Sequence, residues 1–490
     1  MKKLLLLLIP VTMFWSCKRQ DDISPATKGE KTQTFSAGDG SFDRLGYGLD
    51  VTRDVLNLKA TSDAPIFDAK KFVADNPARI DISTSTEGRE QYYGGASAVD
   101  YIKDVSTKKS FDINGTNTPK IEGATQDGSQ NLFTGSLSLN SSDQNRTTYS
   151  SKYSYASYEI TQRVKRIRLT GDATISQLMQ YLTPDFISNV ANMSADQLVT
   201  RYGTHVLLDI SLGGNLKFNY SGSIVTQSDY TKKTSDVKAG LGFGLLKIIG
   251  VNINASKTKE EITQITNTTN EREYTGVFFG GTNGGQSLTI DKDANTSQTV
   301  NIASWQQSIN ANNATLIDVD KAVFLYNFIA DPVKKAQVKA AIEKHINDRQ
   351  IKLSPQEVYE FSTPQMDSKH ANNLDPNMHL KYLQFGWHPN GQPFKAYSFA
   401  YNGAVPVYQF INRSTNNRFL TTQRDLQYPA FVNESILFYA YTTQVPGSVP
   451  VYQFGSKTNR TGDFYYSTIQ TPYDSSWEGG NWVVFYAFPN

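Results

Sequence analysis

The sequence predicts a large α+β domain followed by a smaller β-rich domain. Aromatic residues make up 12% of the 490 residues, which favours pleated, half-buried sheet surfaces. Up to about residue 350, glycine-punctuated strand patterns alternate with capped helical segments. After that point a short strand-rich motif recurs, which indicates a duplicated β module.

Charge and cysteine content exclude several functional classes. The chain has 48 Lys and Arg against 46 Asp and Glu, and the first 16 residues hold Lys2 and Lys3 but no acid. Without them the balance is even at 46 each, so we expect no nucleic acid partner. The one cysteine, Cys17, excludes an intramolecular disulfide framework and a zinc site built from several cysteines.

The N-terminus reads as an export signal over residues 1–16. A basic pair precedes an apolar run from Leu4 to Ile9, which is too short for a permanent membrane helix. Ser16 before Cys17 resembles the lipobox of bacterial lipoproteins, in which the cysteine carries the lipid anchor. This resemblance implies a lipoprotein at the outer membrane or surface of a Gram-negative bacterium, or one released from it, with residues 17–40 as a flexible tether. The alternative is an ordinary signal peptide with a chance cysteine.

Helix signals appear at three places in the large domain. Thr183-Pro184 opens a helix to about Met193, and Ser194 with Gln197 forms a capping box for a second one. Apolar spacing from about Val319 to Asn347 predicts two more helices, separated at Asp331-Pro332.

The C-terminal region divides into a linker, residues 351–380, and a β-rich domain, residues 381–490. Two repeats carry this prediction, because Val405-Pro406-Val407-Tyr408-Gln409-Phe410 returns 44 residues later as Val449-Pro450-Val451-Tyr452-Gln453-Phe454. Ser398 to Tyr401 is interpreted as the end of an incomplete third unit. The exposed aromatics of such repeats suit a surface protein or a glycan as partner.

A short motif after the second capped helix identifies the large domain. Tyr202, Gly203, Thr204 and His205 lead into an apolar strand. This motif resembles the signature of the membrane attack complex/perforin family, with Val206 departing from the usual aromatic. Further matches occur in family order over about residues 41–350, at Leu45 to Val51, Gly280-Gly281, Trp305 and Ser308.

The resemblance implies a bent central antiparallel sheet of four strands with two flanking helical clusters. In this family the signature is structural rather than catalytic, and a glycine pair, here Gly280 and Gly281, acts as a hinge. The clusters unfurl on a membrane into amphipathic β-hairpins, and monomers from solution assemble into a ring-shaped homo-oligomer. Membrane lipid and further copies of the chain are therefore the expected partners.

By this resemblance the second cluster lies between about Ser223 and Asn270. Residues 239–255 alternate with a period of two, as membrane-crossing strands do. The alternative is an ordinary amphipathic strand or a glycine-rich core segment. The candidate membrane-facing residues are Leu241, Phe243, Leu245, Ile249, Val251 and Ile253. The first cluster is expected between about Phe111 and Tyr149, where the pattern is weaker.

Motifs for nucleophilic catalysis, nucleotide binding or zinc proteolysis are not found in the sequence, and none of the five histidines forms an i,i+4 pair. We therefore expect no enzyme activity, no catalytic residue, no cofactor and no metal. Two functions remain: a pore-forming lipoprotein that serves as an antibacterial toxin, and a non-lytic adhesion lipoprotein that uses the same fold to bind a glycan or protein.

The lipid anchor can be tested with Cys17→Ala. This variant should take up no radioactive fatty acid in its bacterial host, because the chain has no other cysteine. Wild-type protein expressed in parallel is the control, and a labelled Cys17→Ala variant would contradict the assignment.

Overall fold

The computed structural model describes residues 40–108, 148–224, 230–254, 256–363, 369–380, 386–458 and 462–490. The predicted export signal, Cys17, most of the tether and residues 111–147 of the predicted first cluster lie outside the described residues.

A long antiparallel sheet organises the residues before 350. The described strands are β1 (Tyr47–Leu49), β2 (Thr61–Pro65), β3 (Ile80–Ser83), β4 (Glu87–Gly95), β5 (Thr148–Ser150), β6 (Tyr153–Leu169), β7 (His205–Ser223), β8 (Asn270–Phe279), β9 (Ser287–Leu288) and β10 (Thr315–Phe324). The described α-helices are α1 (Ala69–Asp75), α2 (Ala98–Lys108), α3 (Ile175–Leu178), α4 (Pro184–Asn192), α5 (Ala195–Tyr202), α6 (Tyr230–Ile249), α7 (Lys259–Thr268), α8 (Ile302–Ser308) and α9 (Pro332–Asp348).

The two longest strands, β6 and β7, pair along most of their length, and both change their outer neighbour midway. β7 pairs with β10 from His205 to Gly213 and with β8 from Asn215 to Ser223. β6 pairs with β4 up to Arg163 and with β3 from Arg166, with a register shift in between. A bulge bends a strand and increases its twist. The sheet therefore has two parts: an anchor half (β3, β6, β7, β10) and a hairpin half (β4, β6, β7, β8).

The family signature fastens the start of β7 to the N-terminal strand. Gly203 ends α5 with a φ of 77°, a conformation that favours glycine. The Thr204 backbone N–H and hydroxyl both donate to the Leu49 carbonyl, at 2.8 and 3.1 Å. His205 is fully buried, with Nδ1 2.8 Å from the Thr204 hydroxyl. These residues hold β1, α5 and β7 together.

His205 stays neutral at physiological pH. Burial lowers its pKa to about 3, although the Asp50 carboxylate acts in the opposite direction. Its ring lies 4.3 Å from the Phe324 ring at the end of β10. The structure therefore places His205 as a packing residue between two strands.

The capped helices lie where the sequence predicts them. Thr183 caps α4, Ser194 and Gln197 form the capping box of α5, and Asp331 caps α9. The predicted helix before Asp331 is wrong, because residues 315–324 form β10 on the open edge of β7. Its apolar residues fit a helical period by spacing alone, but edge pairing and burial against the core decide the conformation.

The C-terminal strands are β11 (Lys352–Ser354), β12 (Gln356–Ser362), β13 (His370–Asn373), β14 (His388–Ala396), β15 (Val405–Ile411), β16 (Arg418–Thr421), β17 (Val432–Ala440), β18 (Val449–Ser456), β19 (Phe464–Ser467) and β20 (Trp477–Ala487). From β12 onward they form three sheets of the same strand order. Unit 1 is β12–β14, unit 2 is β15–β17 and unit 3 is β18–β20. Residues 351–380 are therefore no linker, since they supply two strands of a unit that the sequence repeats did not reveal.

A pseudo-threefold core joins the three units. Phe394, Phe438 and Phe485 take equivalent places on the last strand of each unit, with ring centroids 5.5–5.6 Å apart. Single β-bridges link the strand ends of all three pairs of units in a cycle. The end of unit 1 is thus Phe394 to Tyr397, four residues before the segment that the sequence suggested.

Gly203→Val tests the anchor at the start of β7. An added Cβ would lie 2.4 Å from the Leu49 carbonyl carbon, at a φ that β-branched residues avoid. We expect the free energy of unfolding to fall by about 3 kcal/mol. Gly171→Val is the matched control, since no atom lies within 4 Å of its added Cβ. Equal urea midpoints for the two variants would contradict the assignment.

Candidate functional site

Two adjacent strands of the hairpin half end together at the insertion that contains α6 and α7. Ser223 of β7 pairs with Asn270 of β8, and 46 residues lie between them. If the ladder continued past this pair, the insertion would form one long β-hairpin. About 9–11 residues per strand cross a bilayer, so the length suffices. β4 and β6 enclose a second insertion in the same way, beginning with α2, at the pair Gly95 and Tyr155.

In this structure α6 lies across the hairpin half as a helix. Val237, Leu241 and Leu245 recur at i, i+4 and i+8 and are at most 1% exposed. They belong to a hydrophobic cluster with Phe218 and Tyr220 of β7. The helix thereby covers the apolar face of the strands that would continue into the hairpin.

Glycines allow α6 to lie directly on two tyrosine rings. An added Cβ at Gly240 would lie 2.4 Å from the Tyr220 ring, and one at Gly244 would lie 2.7 Å from the Tyr274 ring. The Tyr274 hydroxyl donates to the Gly240 carbonyl at 3.0 Å. Each interior glycine costs a helix about 1 kcal/mol relative to alanine. Tertiary contacts therefore stabilise α6 more than its own sequence does.

All six candidate membrane-facing residues belong to this cluster or pack against it. Leu241 and Leu245 are buried, and the remaining four are partly buried. Helical spacing places Phe243 on a different side of α6 from Leu241 and Leu245. Residues 239–249 thus have a helical period in this structure, whereas their sequence alternates with a period of two.

A buried lysine opposes the helical packing. Lys233 of α6 is 3% exposed, and burial lowers its pKa to about 8, although Asp100 of α2 favours the charged form. Because the unfolded pKa is near 10.5, the charge destabilises the folded state at every pH below about 8. This cost disappears only as pH rises from 8 to above 10.5, so it is present at neutral pH.

The opposite face of the hairpin half is polar although buried. Lys217 Nζ lies 2.7 Å from Asp54 and 4.0 Å from Glu159. Asn215 donates to Glu159 and to the Thr161 hydroxyl at 3.1 and 3.0 Å. The strands therefore alternate between an apolar face under α6 and a polar face, as strands do that separate lipid from water.

The predicted hinge glycines lie where β7 exchanges β10 for β8. Gly280 and Gly281 follow β8 with φ of 68° and 73°. An added Cβ at Gly280 would lie 2.5 Å from the Gly213 carbonyl oxygen. Trp305 of α8 donates its indole N–H to the Gly280 carbonyl at 3.1 Å. The pair therefore permits a close approach of strands at the bend, held by one hydrogen bond to a neighbouring helix.

The helix α2, which begins the insertion between β4 and β6, packs against the C-terminal domain. Val99, Tyr101 and Ile102 of α2 share a hydrophobic cluster with Tyr397 and Tyr441 of the β-rich units. The Tyr101 hydroxyl also lies 2.7 Å from the Ser157 hydroxyl of β6. Movement of α2 away from the sheet would therefore break contacts with both domains.

Sequence reasoning found the six apolar residues and the glycine pair but missed the side chains that hold α6. Tyr220 and Tyr274 carry no motif, and only the alternation of β7 could have indicated an inward face. Within the described ranges, no group of three or more His, Cys, Asp or Glu could hold a metal ion. No helix of this part of the chain is long and apolar enough to cross a membrane.

Among solved structures, a putative cell invasion protein with a MAC/Perforin domain from Bacteroides thetaiotaomicron is similar at 18% identity and a TM-score of 0.48, covering 70% of this chain and 68% of that chain. GNIP1Aa from Chromobacterium piscinae is similar at 12% identity and a TM-score of 0.43, and the match covers 92% of this chain and 82% of that chain. A search of curated proteins gives no match.

Family models match both parts of the chain. Residues 357–484 match a domain of unknown function, DUF5648, which spans the three β-rich units. Residues 40–353 match the MAC/Perforin domain, against a predicted extent of 41–350. This match covers more than half of the chain and agrees with the bent antiparallel sheet and its two insertions. The chain belongs to the MAC/Perforin family and has its perforin-like, pore-forming fold.

Proposed function

We propose that this chain is a surface or secreted pore-forming lipoprotein that inserts amphipathic β-hairpins into target membranes, and that it acts as an antibacterial toxin. The observation that carries the proposal is the conflict within α6. Its sequence has the alternation of a membrane-crossing strand, yet it is folded as a glycine-rich helix over the strands it would extend.

Storage of apolar residues explains how such a protein stays in solution before it meets a membrane. The six candidate residues pack in or against one cluster with the sheet. A bilayer offers them an alternative apolar environment, so unfolding of α6 in water is unfavourable while unfolding on lipid is not. Membrane lipid is therefore the proposed trigger and partner.

Ring assembly needs two complementary sheet edges on each subunit. β4 pairs only with β6 among the described strands, and Asp104 and Lys108 of α2 hydrogen-bond its backbone at Gly94 and Tyr92, which leaves the outer edge before Tyr92 for another chain. On the other side, β9 pairs with β8 at Gly276 and Val277, and Gly285 and Gln286 hydrogen-bond Phe278, so the edge of β8 before Gly276 has no strand partner among the described residues. A head-to-tail contact between these edges repeats from subunit to subunit and closes a ring if the rotation allows. We propose a monomer in solution and a homo-oligomer on the membrane.

The proposed location is the outer membrane or cell surface of a Gram-negative bacterium, with Cys17 as the lipid anchor. The same protein could also act after its release from the cell that produces it. Residues 381–490 would recognise a surface protein or glycan on the target. No enzymatic step is proposed.

The second candidate is a non-lytic adhesion lipoprotein. Exposed aromatic side chains on the C-terminal units favour it, because they offer a binding surface that needs no insertion; Tyr473 is 61% exposed and Tyr428 49%. Release of dye from vesicles separates the two functions, since the adhesion protein would bind without leakage.

Phe243→Arg tests insertion directly. Phe243 is only partly buried in the soluble fold, so thermal stability should change little. On a membrane the arginine would face lipid, at a cost of about 2–4 kcal/mol near mid-bilayer in every subunit. We expect dye release from target-lipid vesicles to be lost.

Asn252→Arg is the matched control, because Asn252 is exposed in the soluble fold and lies on the opposite face of the alternating segment. It should retain leakage within about threefold of wild type, since a lumen-facing charge remains in water. Full leakage by Phe243→Arg, or equal loss in both variants, would refute the hairpin assignment.

A further inference from the structure

Unit 3 carries an aromatic stack whose outermost ring is open to solvent. Phe454 and Tyr465 stack at 4.8 Å, and Tyr473 stacks on Tyr465 at 4.3 Å with an interplanar angle of 14°. Phe454 and Tyr465 are fully buried, whereas Tyr473 is 61% exposed. One flat face of Tyr473 is therefore covered by Tyr465, and the side chain still presents most of its surface to water.

The Tyr473 ring is fixed rather than loosely attached. Its backbone N–H donates to the Tyr465 hydroxyl at 2.9 Å, and Trp477 packs edge-on against Tyr465 at 4.7 Å. The Tyr473 hydroxyl stays protonated at neutral pH, as that of an ordinary tyrosine does, so it remains a neutral donor and acceptor. A rigid ring loses little conformational entropy when a ligand stacks on it.

Unit 2 has a similar arrangement with a tilted outer ring. Phe410 and Phe419 stack at 5.1 Å, and Tyr428 lies 5.3 Å from Phe419 at an interplanar angle of 58° while remaining 49% exposed. Phe431 packs edge-on against Phe419 at 5.1 Å, in the place that Trp477 takes in unit 3. An outer tyrosine over a buried pair thus occurs twice, in different local sequences.

Unit 1 lacks this platform. Ala371 occupies the position of Phe419 and Tyr465, and His379 stacks on Phe361 at 5.6 Å instead. The exposed tyrosine is therefore not a necessity of the β fold, since a unit folds without it.

Polar groups border each platform. Asp474 follows Tyr473, and hydrogen bonds from the Ser476 hydroxyl and backbone hold its pKa below the usual range. In unit 2, Asp425 and Gln427 lie three residues and one residue before Tyr428 in the sequence, and both are exposed. A flat apolar face beside carboxylate and amide groups matches a sugar ring, which has an apolar C–H face and a rim of hydroxyls.

The size of the platforms distinguishes a sugar from larger partners. A stable protein partner buries about 800 Å² on each side, with a contiguous apolar centre. Here two single-ring platforms lie on separate units of a pseudo-threefold domain, which fits a chain of repeated small units. Two weak sites on one repetitive ligand gain strength from their linkage.

We propose that Tyr473 and Tyr428 are the stacking residues of two carbohydrate sites, each of which takes one pyranose ring of a surface glycan. This deepens the recognition role proposed for the C-terminal domain but does not depend on pore formation.

The test uses the full-length chain and an immobilised panel of lipopolysaccharide O-chains, capsular polysaccharides and galactose-, mannose- and N-acetylglucosamine-terminated glycans. Wild type should bind at least one of them and be displaced by the matching methyl glycoside. Tyr473→Ala and Tyr428→Ala should each weaken binding about tenfold, and the double variant about 100-fold or more.

Controls separate stacking from folding. Tyr473→Phe keeps the ring and should bind within about threefold of wild type, whereas Tyr473→Leu covers Tyr465 without offering a flat face and should bind like Tyr473→Ala. Trp482→Ala removes an equally exposed aromatic outside the stack and should leave binding unchanged. Thermal midpoints identify any variant that is unfolded.

The proposal would be overturned if wild type bound none of the glycans in the panel, or if the double variant bound as tightly as wild type. If the protein causes leakage from glycan-free vesicles but binds no glycan, the carbohydrate sites are refuted and pore formation is not. If it binds a glycan through Tyr473 and Tyr428 but causes no leakage, pore formation is refuted and the carbohydrate sites are not.

Discussion

The structure depends on β7 remaining one continuous strand while its neighbour changes from β10 to β8. All 19 of its residues are buried. One end is fastened by the hydrogen bonds of Thr204, and Gly213 and Gly214 allow the close approach at the change of partner. The position of β7 in the anchor half is thus fixed both at the start of the strand and at the change of partner. The rearrangement proposed for α6 concerns residues beyond Ser223, where backbone pairing with β8 ends and the insertion begins.

Beyond Ser223 the same residues have two competing ways to bury their apolar side chains. In water they pack as α6 against Tyr220 and Tyr274, with glycines that weaken the helix and a buried Lys233 that opposes it. On lipid, an alternating strand needs none of these contacts. A conflict between local pattern and global fold is expected at a functional site rather than in a passive core. The contact between α2 and the C-terminal domain adds a second restraint on the same sheet.

Local chemistry made much of this predictable. Caps fixed the starts of α4, α5 and α9, and the glycine motifs at Gly203 and Gly280 indicated tight backbone positions. β10 was misread because apolar spacing at a sheet edge can imitate a helix. Unit 1 was predicted only as an incomplete repeat with its end four residues too late, because its stack and strand residues differ from the other two, with Ala371 in place of a ring. The conformation of α6 could not be derived from its own residues, since it depends on side chains of β7 and β8 that are distant in sequence.

The central claim is that residues 239–249, which form the end of α6, exchange a helical for an alternating environment. It is tested most directly by single cysteines at positions 241 to 245 in a Cys17→Ser background, labelled with an environment-sensitive dye and read before and after vesicles are added. In water, Leu241 and Leu245, both 1% exposed, should report burial while Phe243 reports partial exposure. On lipid, positions 241, 243 and 245 should all report an apolar environment and 242 and 244 an aqueous one. A helical period that persists in lytically active protein would contradict the account.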